Sequence, residues 1–373
     1  MKKILYVITA LGVGGAENLL VDVCSVLKDN NEITVVFLND LRDYEKQLVD
    51  MGIDVIFLDL KNLGFLRCVS ELKRILRERK IQIVHTHLPA ADTVGRAAVL
   101  FIPEVEIIST IHNSDTWKKS YNPKYMLLKA FNFFTVNFFR KVRLIAVSES
   151  VKKYCEKYEH ISKKKITVIY NFIDYSNSLK SDSDFTPIPR GDSFKLLTVA
   201  RLEPDKGHIF LLRALEELKK KNINVFLTVL GEGSLRGALE KFATEHNLSD
   251  NVTFPGNKKN VYDYLKDTNL FVLPSLNEGQ SIAVLEAFYC RTPVLTSDIP
   301  ANSELLHGGE YGVLFESENE SDLANKIFAI IKGEYDFDGA DGITKRAYEF
   351  CSERSKQNHI TELEEFYNLS KVI

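Results

Sequence analysis

The sequence predicts an α/β protein made of two doubly wound domains in tandem. Three observations carry this. Short runs rich in Ile and Val alternate with amphipathic helical stretches. The alternation runs through the chain twice, broken by one polar segment. A length of 373 residues suits two domains of roughly 100–200 residues each. Near-continuous apolar runs are what strands buried on both faces need. Strand–helix alternation favours parallel sheets with right-handed crossovers.

In the first half Ile4–Thr9, Ile33–Leu38, Asp54–Leu58, Ile81–His85, Glu106–Ile111 and Val142–Val147 read as strands, with helices such as Phe65–Lys80 between them. Lys2 and Lys3 ahead of the apolar run Ile4–Leu11 loosely mimic a secretory leader. The same strand–turn–helix pattern recurs down the chain, so a first strand is the better reading. Apolar periodicity then fades between Asp174 and Ser193, where Pro187 and Pro189 lie in a polar stretch that reads as an interdomain linker. The pattern restarts with the strands Phe194–Ala200, Val225–Leu230, Val252–Pro255, Leu270–Leu273 and Pro293–Thr296. Leu211, Ala214, Leu215 and Leu218 mark one face of a helix. The domains are expected at 1–180 and 190–354. In open α/β sheets ligands bind beyond the carboxyl ends of the strands, so two such domains facing each other would enclose a cleft.

Composition excludes several classes. A formal net charge of -3 gives no global electrostatic case for nucleic acid. The five cysteines, Cys24, Cys68, Cys155, Cys290 and Cys351, show no CxxC spacing. They read as reduced thiols of a cytoplasmic protein rather than zinc ligands or a disulfide framework. No apolar stretch approaches the roughly 20 residues of a membrane-spanning helix.

Three motifs carry chemistry. Leu11-Gly-Val-Gly-Gly-Ala-Glu17 follows the first strand. Its glycines let backbone approach an anion at a helix start. It is a broken dinucleotide fingerprint, with Glu17 at the third glycine position. Asp40 near the end of strand two keeps a nicotinamide reading open, and a plain tight turn is the simpler alternative. Arg201-Leu-Glu-Pro-Asp-Lys-Gly207 lies between a strand and a helix. Arg201 and Lys206 can grip a diphosphate there, or be solvated loop cations. Glu278-Gly-Gln-Ser-Ile-Ala-Val-Leu-Glu286 follows an apolar strand and a Pro-Ser turn. Ser281 is placed to cap a helix, Glu278 to sit in the loop and Glu286 about one turn into that helix. Carboxylates accept hydrogen bonds from sugar and ribose hydroxyls, and the amides of Gly279 to Ile282 form a phosphate nest.

Other motifs pair along the chain: Ile83-Val-His-Thr-His87, Thr110-Ile-His-Asn113, Ala146-Val-Ser-Glu-Ser150, Val168-Ile-Tyr-Asn-Phe-Ile-Asp174, Leu230-Gly-Glu-Gly-Ser-Leu-Arg236 and Gly312-Val-Leu314. In this order and spacing, with the three above, the chain resembles the retaining glycosyltransferases of family-4 type (glycosyl transferases group 1), which have the GT-B fold. The resemblance runs from Gly12 to about Leu314. It implies a hexosyltransferase that needs no metal or other cofactor. A C-terminal helix at about 355–373 is expected to return to the first domain. Arg201 and Lys206 would bind the donor diphosphate, with Gly14 and Gly15 approaching it from the other domain. Glu286 would hold the ribose, and Glu278 would touch the donor sugar. Gly279, Gln280, Ser281 and Ile282 would complete the donor contacts, and His112 would lie near the reacting centre. Many relatives carry an aromatic residue or leucine where Gln280 stands, which bears on donor identity rather than fold.

His85 and His87 share one face of a strand, and lining or packing is a better reading than a metal site. Asp182-Ser-Asp184 and Asp336-Phe-Asp338 mimic a metal-binding DxD but follow no strand, and read as surface acids. From Lys118 to Arg143 there are seven basic and no acidic residues, interleaved with Phe131, Phe133, Phe134, Phe138 and Phe139. Such a stretch can lie on an anionic membrane or be an ordinary core-facing helix. The expected substrates are a nucleotide sugar, UDP before GDP by analogy, and a glycan or lipid-linked acceptor of cell-surface polysaccharide assembly. The place is the cytoplasm or the inner face of the cell membrane. A sugar-nucleotide epimerase and a non-catalytic sugar-nucleotide-binding subunit are the alternatives.

Overall fold

The computed structural model describes residues 1–100, 102–114, 123–174, 193–258 and 260–368. The stretch expected as a linker falls almost wholly on 175–192, outside the described residues, as do Asp182, Asp184, Lys118 and Lys119. Two compact units form. One is Met1–Asn171 with Lys356–Ile373, and the other is Phe172–Ser355.

The first unit holds a parallel sheet of seven strands: β1 Lys3–Ile8, β2 Glu32–Phe37, β3 Asp54–Phe57, β4 Ile83–His87, β5 Glu106–Ile111, β6 Val142–Ala146 and β7 Ile166–Val168. Their order is β3-β2-β1-β4-β5-β6-β7. The chain therefore winds outward from β1 to one side, then from β4 to the other. The apolar run Ile4–Ile8 is the fully buried centre of this sheet, paired with both β2 and β4.

The second unit repeats the scheme with β8 Phe194–Val199, β9 Val225–Leu230, β10 Val252–Gly256, β11 Leu270–Leu273, β12 Val294–Ser297 and β13 Val313–Phe315. The order is β10-β9-β8-β11-β12-β13, again parallel. Winding reverses between β8 and β11. Helix His208–Lys220 buries Leu211, Ala214, Leu215 and Leu218 against this sheet, the face its periodicity marks. β4 begins and ends two residues later than expected, and His85 and His87 are both strand residues. β7 and β13 were not expected. At three residues each they are too short to show a period. Asp336 and Asp338 lie in the loop between helices Glu320–Ile331 and Ile343–Ser352, where Asp336 Oδ1 accepts from the Gly339 amide at 2.8 Å. No helix among the described residues is long and apolar enough to cross a membrane.

Candidate active site

Reversal of winding between adjacent strands opens a crevice at their carboxyl ends. In the second unit those strands are β8 and β11, and the loops that follow them are Arg201–Gly207 and Pro274–Ser281. The two loops interlock. The Leu276 amide donates to Asp205 O at 2.8 Å. Gly207 has φ +64, and a Cβ there would stand 2.1 Å from Pro274 O, so glycine is required for the approach. Behind them the loop after β9 closes in: the Leu202 amide donates to Glu232 O, and the Leu235 amide to Leu202 O, both at 2.9 Å. Gly231 has φ +141 and leaves no room for a Cβ beside Ala200 O.

This interlock separates the two cations. Lys206 is buried, and its Nζ lies 2.8 Å from Glu278 Oε1 and 3.4 Å from Asn277 O. Ser275 Oγ donates to the same Glu278 oxygen at 2.8 Å. Oε1 is thus committed to two donors, and Oε2 is the carboxylate's other acceptor. Arg201 is exposed, and its side chain makes no hydrogen bond among the described residues. Ser281 Oγ accepts from the Val284 amide at 3.3 Å and caps helix Ile282–Tyr289. Glu286, half-buried, falls one turn into that helix, close enough to Tyr262 to raise the phenol's pKa, an effect second to burial. Gly279 and Gln280 are buried and Ile282 half-buried at the start of the same helix.

The corresponding reversal in the first unit lies between β1 and β4. Gly14 and Gly15 follow β1 at the start of helix Gly15–Leu27. Gly14 is extended and its carbonyl accepts from the Asn18 amide at 2.9 Å. His112 directly follows β5 and is half-buried. Its Nε2 lies 2.9 Å from His87 Nδ1, the two rings 5.2 Å apart. Desolvation pushes the His112 pKa down to about 4 and that of His87 well below its usual value. His85 is a packing residue: Nδ1 contacts Tyr367 Oη at 2.6 Å and Nε2 contacts Thr110 Oγ1 at 2.7 Å.

Sequence reasoning missed three participants. Ser275 was visible only as a turn residue. His87 stood in the HxH motif but gave no sign of its partner. The largely buried polar group of Thr86, Asp92, Arg96, Ser109, Asn132 and Glu159 is spread over β4, β5, helices Pro89–Val99 and Pro123–Phe138 and the residue after helix Glu149–Tyr158, with no local spacing to reveal it. Burial raises the Asp92 and Glu159 pKa values, and Arg96 opposes both shifts.

Comparison with known proteins covers both halves. Residues 13–177 match Glycosyltransferase Family 4, and residues 181–350 match Glycosyl transferases group 1. The chain is 26% identical over 83% of its length to a UDP-Gal:alpha-D-GlcNAc-diphosphoundecaprenol alpha-1,3-galactosyltransferase of Escherichia coli, covering 80% of that protein. It is 26% identical over 87% of its length to a Campylobacter jejuni N-acetylgalactosamine-N,N'-diacetylbacillosaminyl-diphospho-undecaprenol 4-alpha-N-acetylgalactosaminyltransferase, covering 88% of it. Among solved structures, Anabaena HepE in complex with UDP-glucose superposes with a TM-score of 0.83 at 21% identity, over 99% of this chain and 100% of that one. With its two halves matched in this order, the chain belongs to the family-4 glycosyltransferases of the GT-B fold.

Proposed function

We propose that the protein is a retaining hexosyltransferase that takes a sugar from a nucleotide donor, UDP in the first place, to a glycan or lipid-linked acceptor. The observation that carries the donor site is the interlock of the β8 and β11 loops. It gathers Lys206, Glu278 and the capped start of the Glu286 helix at the reversal of the sheet, with Arg201 in the same loop as Lys206. In this reading Arg201 and Lys206 neutralise the departing diphosphate, aided by the amides of Gly279, Gln280, Ser281 and Ile282. Glu286 accepts from the ribose hydroxyls. Glu278 accepts from the donor sugar through Oε2. Gly14, Gly15 and His112 of the first unit act on the same donor. Charge on the leaving group is then met by protein cations and amides, which makes a metal-independent reaction chemically sufficient.

The names of the E. coli and C. jejuni relatives support a diphosphoundecaprenol-type acceptor. A second observation supports contact with an anionic membrane. On helix Pro123–Phe138 and just beyond, Met126, Leu127, Phe134, Phe138 and Phe139 are 41–72% exposed. Phe134 stacks on Phe138 at 5.6 Å. Arg140, Lys141, Lys163 and Lys164 are exposed beside this end. The Lys163 loop is held there by the Ser162 amide on Asn137 Oδ1 at 3.0 Å and by Lys165 Nζ on Phe139 O at 2.7 Å. Apolar rings rimmed by cations suit the boundary between acyl chains and anionic headgroups. The protein would then work at the inner face of the cell membrane.

The test is a thermal-shift panel of UDP-, GDP- and ADP-sugars, followed by product analysis. A donor at 100 times its Kd should add about 2.7 kcal/mol. The expected product keeps the donor's anomeric configuration and forms only when acceptor is present. No shift with any nucleotide sugar overturns the donor site, and product released without acceptor points to an epimerase.

A further inference from the structure

His87 and His112 share one hydrogen bond, and its direction decides what His112 can do. Two nitrogens 2.9 Å apart hold a single proton between them, so one ring donates and the other accepts. Desolvation keeps both rings neutral, and the titratable groups acting on His87 are His85, His112 and His359, none of them a carboxylate that would favour an imidazolium. Two arrangements remain. If His112 Nε2–H donates, His87 must carry its own proton on Nε2. That nitrogen is buried and has no hydrogen-bond partner among the described residues, so it would become an orphaned donor. If His87 Nδ1–H donates, its Nε2 keeps only a lone pair. Buried unpaired N–H groups are rarer than under-satisfied acceptors, which favours the second arrangement. His112 then carries its proton on Nδ1.

The His87 ring is itself held in place. It stacks on His85 at 4.5 Å, and His85 is fixed at both nitrogens by Tyr367 and Thr110. Support for the pair therefore comes from β5 and from the C-terminal helix.

We propose that His87 is a positioning residue that locks His112 in the Nδ1–H tautomer, so that His112 meets a sugar oxygen as a neutral hydrogen-bond donor and not as a base. The proposal rests on the place given to His112 in the transfer reaction. The generality behind it is that the partner of one imidazole nitrogen sets what the other nitrogen offers.

The experiment uses the full chain with ¹⁵N-labelled histidine. Long-range ¹H–¹⁵N correlations at about pH 7 read the tautomer directly, with His112 assigned by its loss in His112→Gln. The expected pattern is a protonated Nδ1 and a bare Nε2. An Nε2–H or charged His112 overturns the proposal whatever the activity. In His87→Phe, which keeps a stacking ring but no donor, kcat should fall roughly 10- to 100-fold with a smaller change in donor KM, since small misplacements carry penalties of this size. His87→Asn, which restores a donor near the Nδ1 position, should recover much of the loss. Wild-type kcat in His87→Phe also overturns the proposal. Arg201→Ala separates the two levels. If Arg201→Ala and His112→Gln both turn over normally, the transfer reading has failed. If both are crippled and His87→Phe is not, only the positioning role has failed.

Discussion

Arg201 and Lys206 carry the same charge five positions apart, yet removing them should have different consequences. Lys206 is buried against Glu278, with side-chain exposures of 10% and 13%. Breaking a buried pair strands the other charge, so Lys206→Ala should lose about 3–5 kcal/mol of stability. Arg201 is exposed, and Arg201→Ala should change stability by less than about 0.5 kcal/mol while transfer falls roughly 10²–10³-fold. Thermal unfolding and a transfer assay on the same two variants check this. For the same reason Glu278→Gln is the informative substitution at Glu278, because it keeps the shape and hydrogen bonds around Lys206. The sequence alone treats the two cations as one motif. Only the crossing of the β8 and β11 loops, a contact between positions about 70 residues apart, distinguishes them. Ser281 is the opposite case. Its capping role was legible because a cap and its helix are neighbours in sequence.

Among the elements, the long apolar strands could be read directly. β5, β9 and β11 fall on the residues that their Ile-, Val- and Leu-rich runs mark. β4 was read two residues early, Ile81–His85 against Ile83–His87, because Thr86 and His87 are polar, although both are buried. Helix Pro123–Phe138 shows how far composition goes. The basic and aromatic residues were visible, but which rings face outward was not. Part of the polar face is spent inward, with Asn132 bonded to Arg96 and Glu159. The exposed rings give a prediction at this scale. Phe134→Ser with Phe138→Ser should weaken sedimentation with anionic vesicles several-fold and leave the unfolding midpoint almost unchanged. No binding at low salt rules out the membrane surface, and equal binding to anionic and neutral vesicles rules out a role for anionic headgroups.

At the scale of the whole molecule, five desolvated histidines set the response to acid. Burial pushes His85 down to about 3, His112, His208 and His359 down to about 4, and His87 well below its usual value. The unfolded chain binds protons on these rings near pH 6.5, the folded chain only near pH 4 or below. Stability is therefore full above about pH 6.5 and falls as pH drops, by up to about 1.4 kcal/mol per unit for each ring. Four of the five, all but His208, lie in the unit formed by Met1–Asn171 and Lys356–Ile373. Thermal scans from about pH 7 to pH 5 should show the transition of that unit moving down faster than the other. A flat profile would show that the rings charge without resistance. The two-domain plan was legible from its polar interruption, and the discontinuity of the first unit has a consequence for synthesis. Ile360, Leu363, Phe366 and Tyr367 belong to its core, and Lys2 Nζ donates to Tyr367 O at 2.8 Å. On a ribosome moving at about 5–20 residues per second, Phe172–Ser355 emerges for roughly 10–40 s before that last helix exists. The half of the protein that is made first is the half that must wait, with β1 and β4 built but their final cover still unwritten.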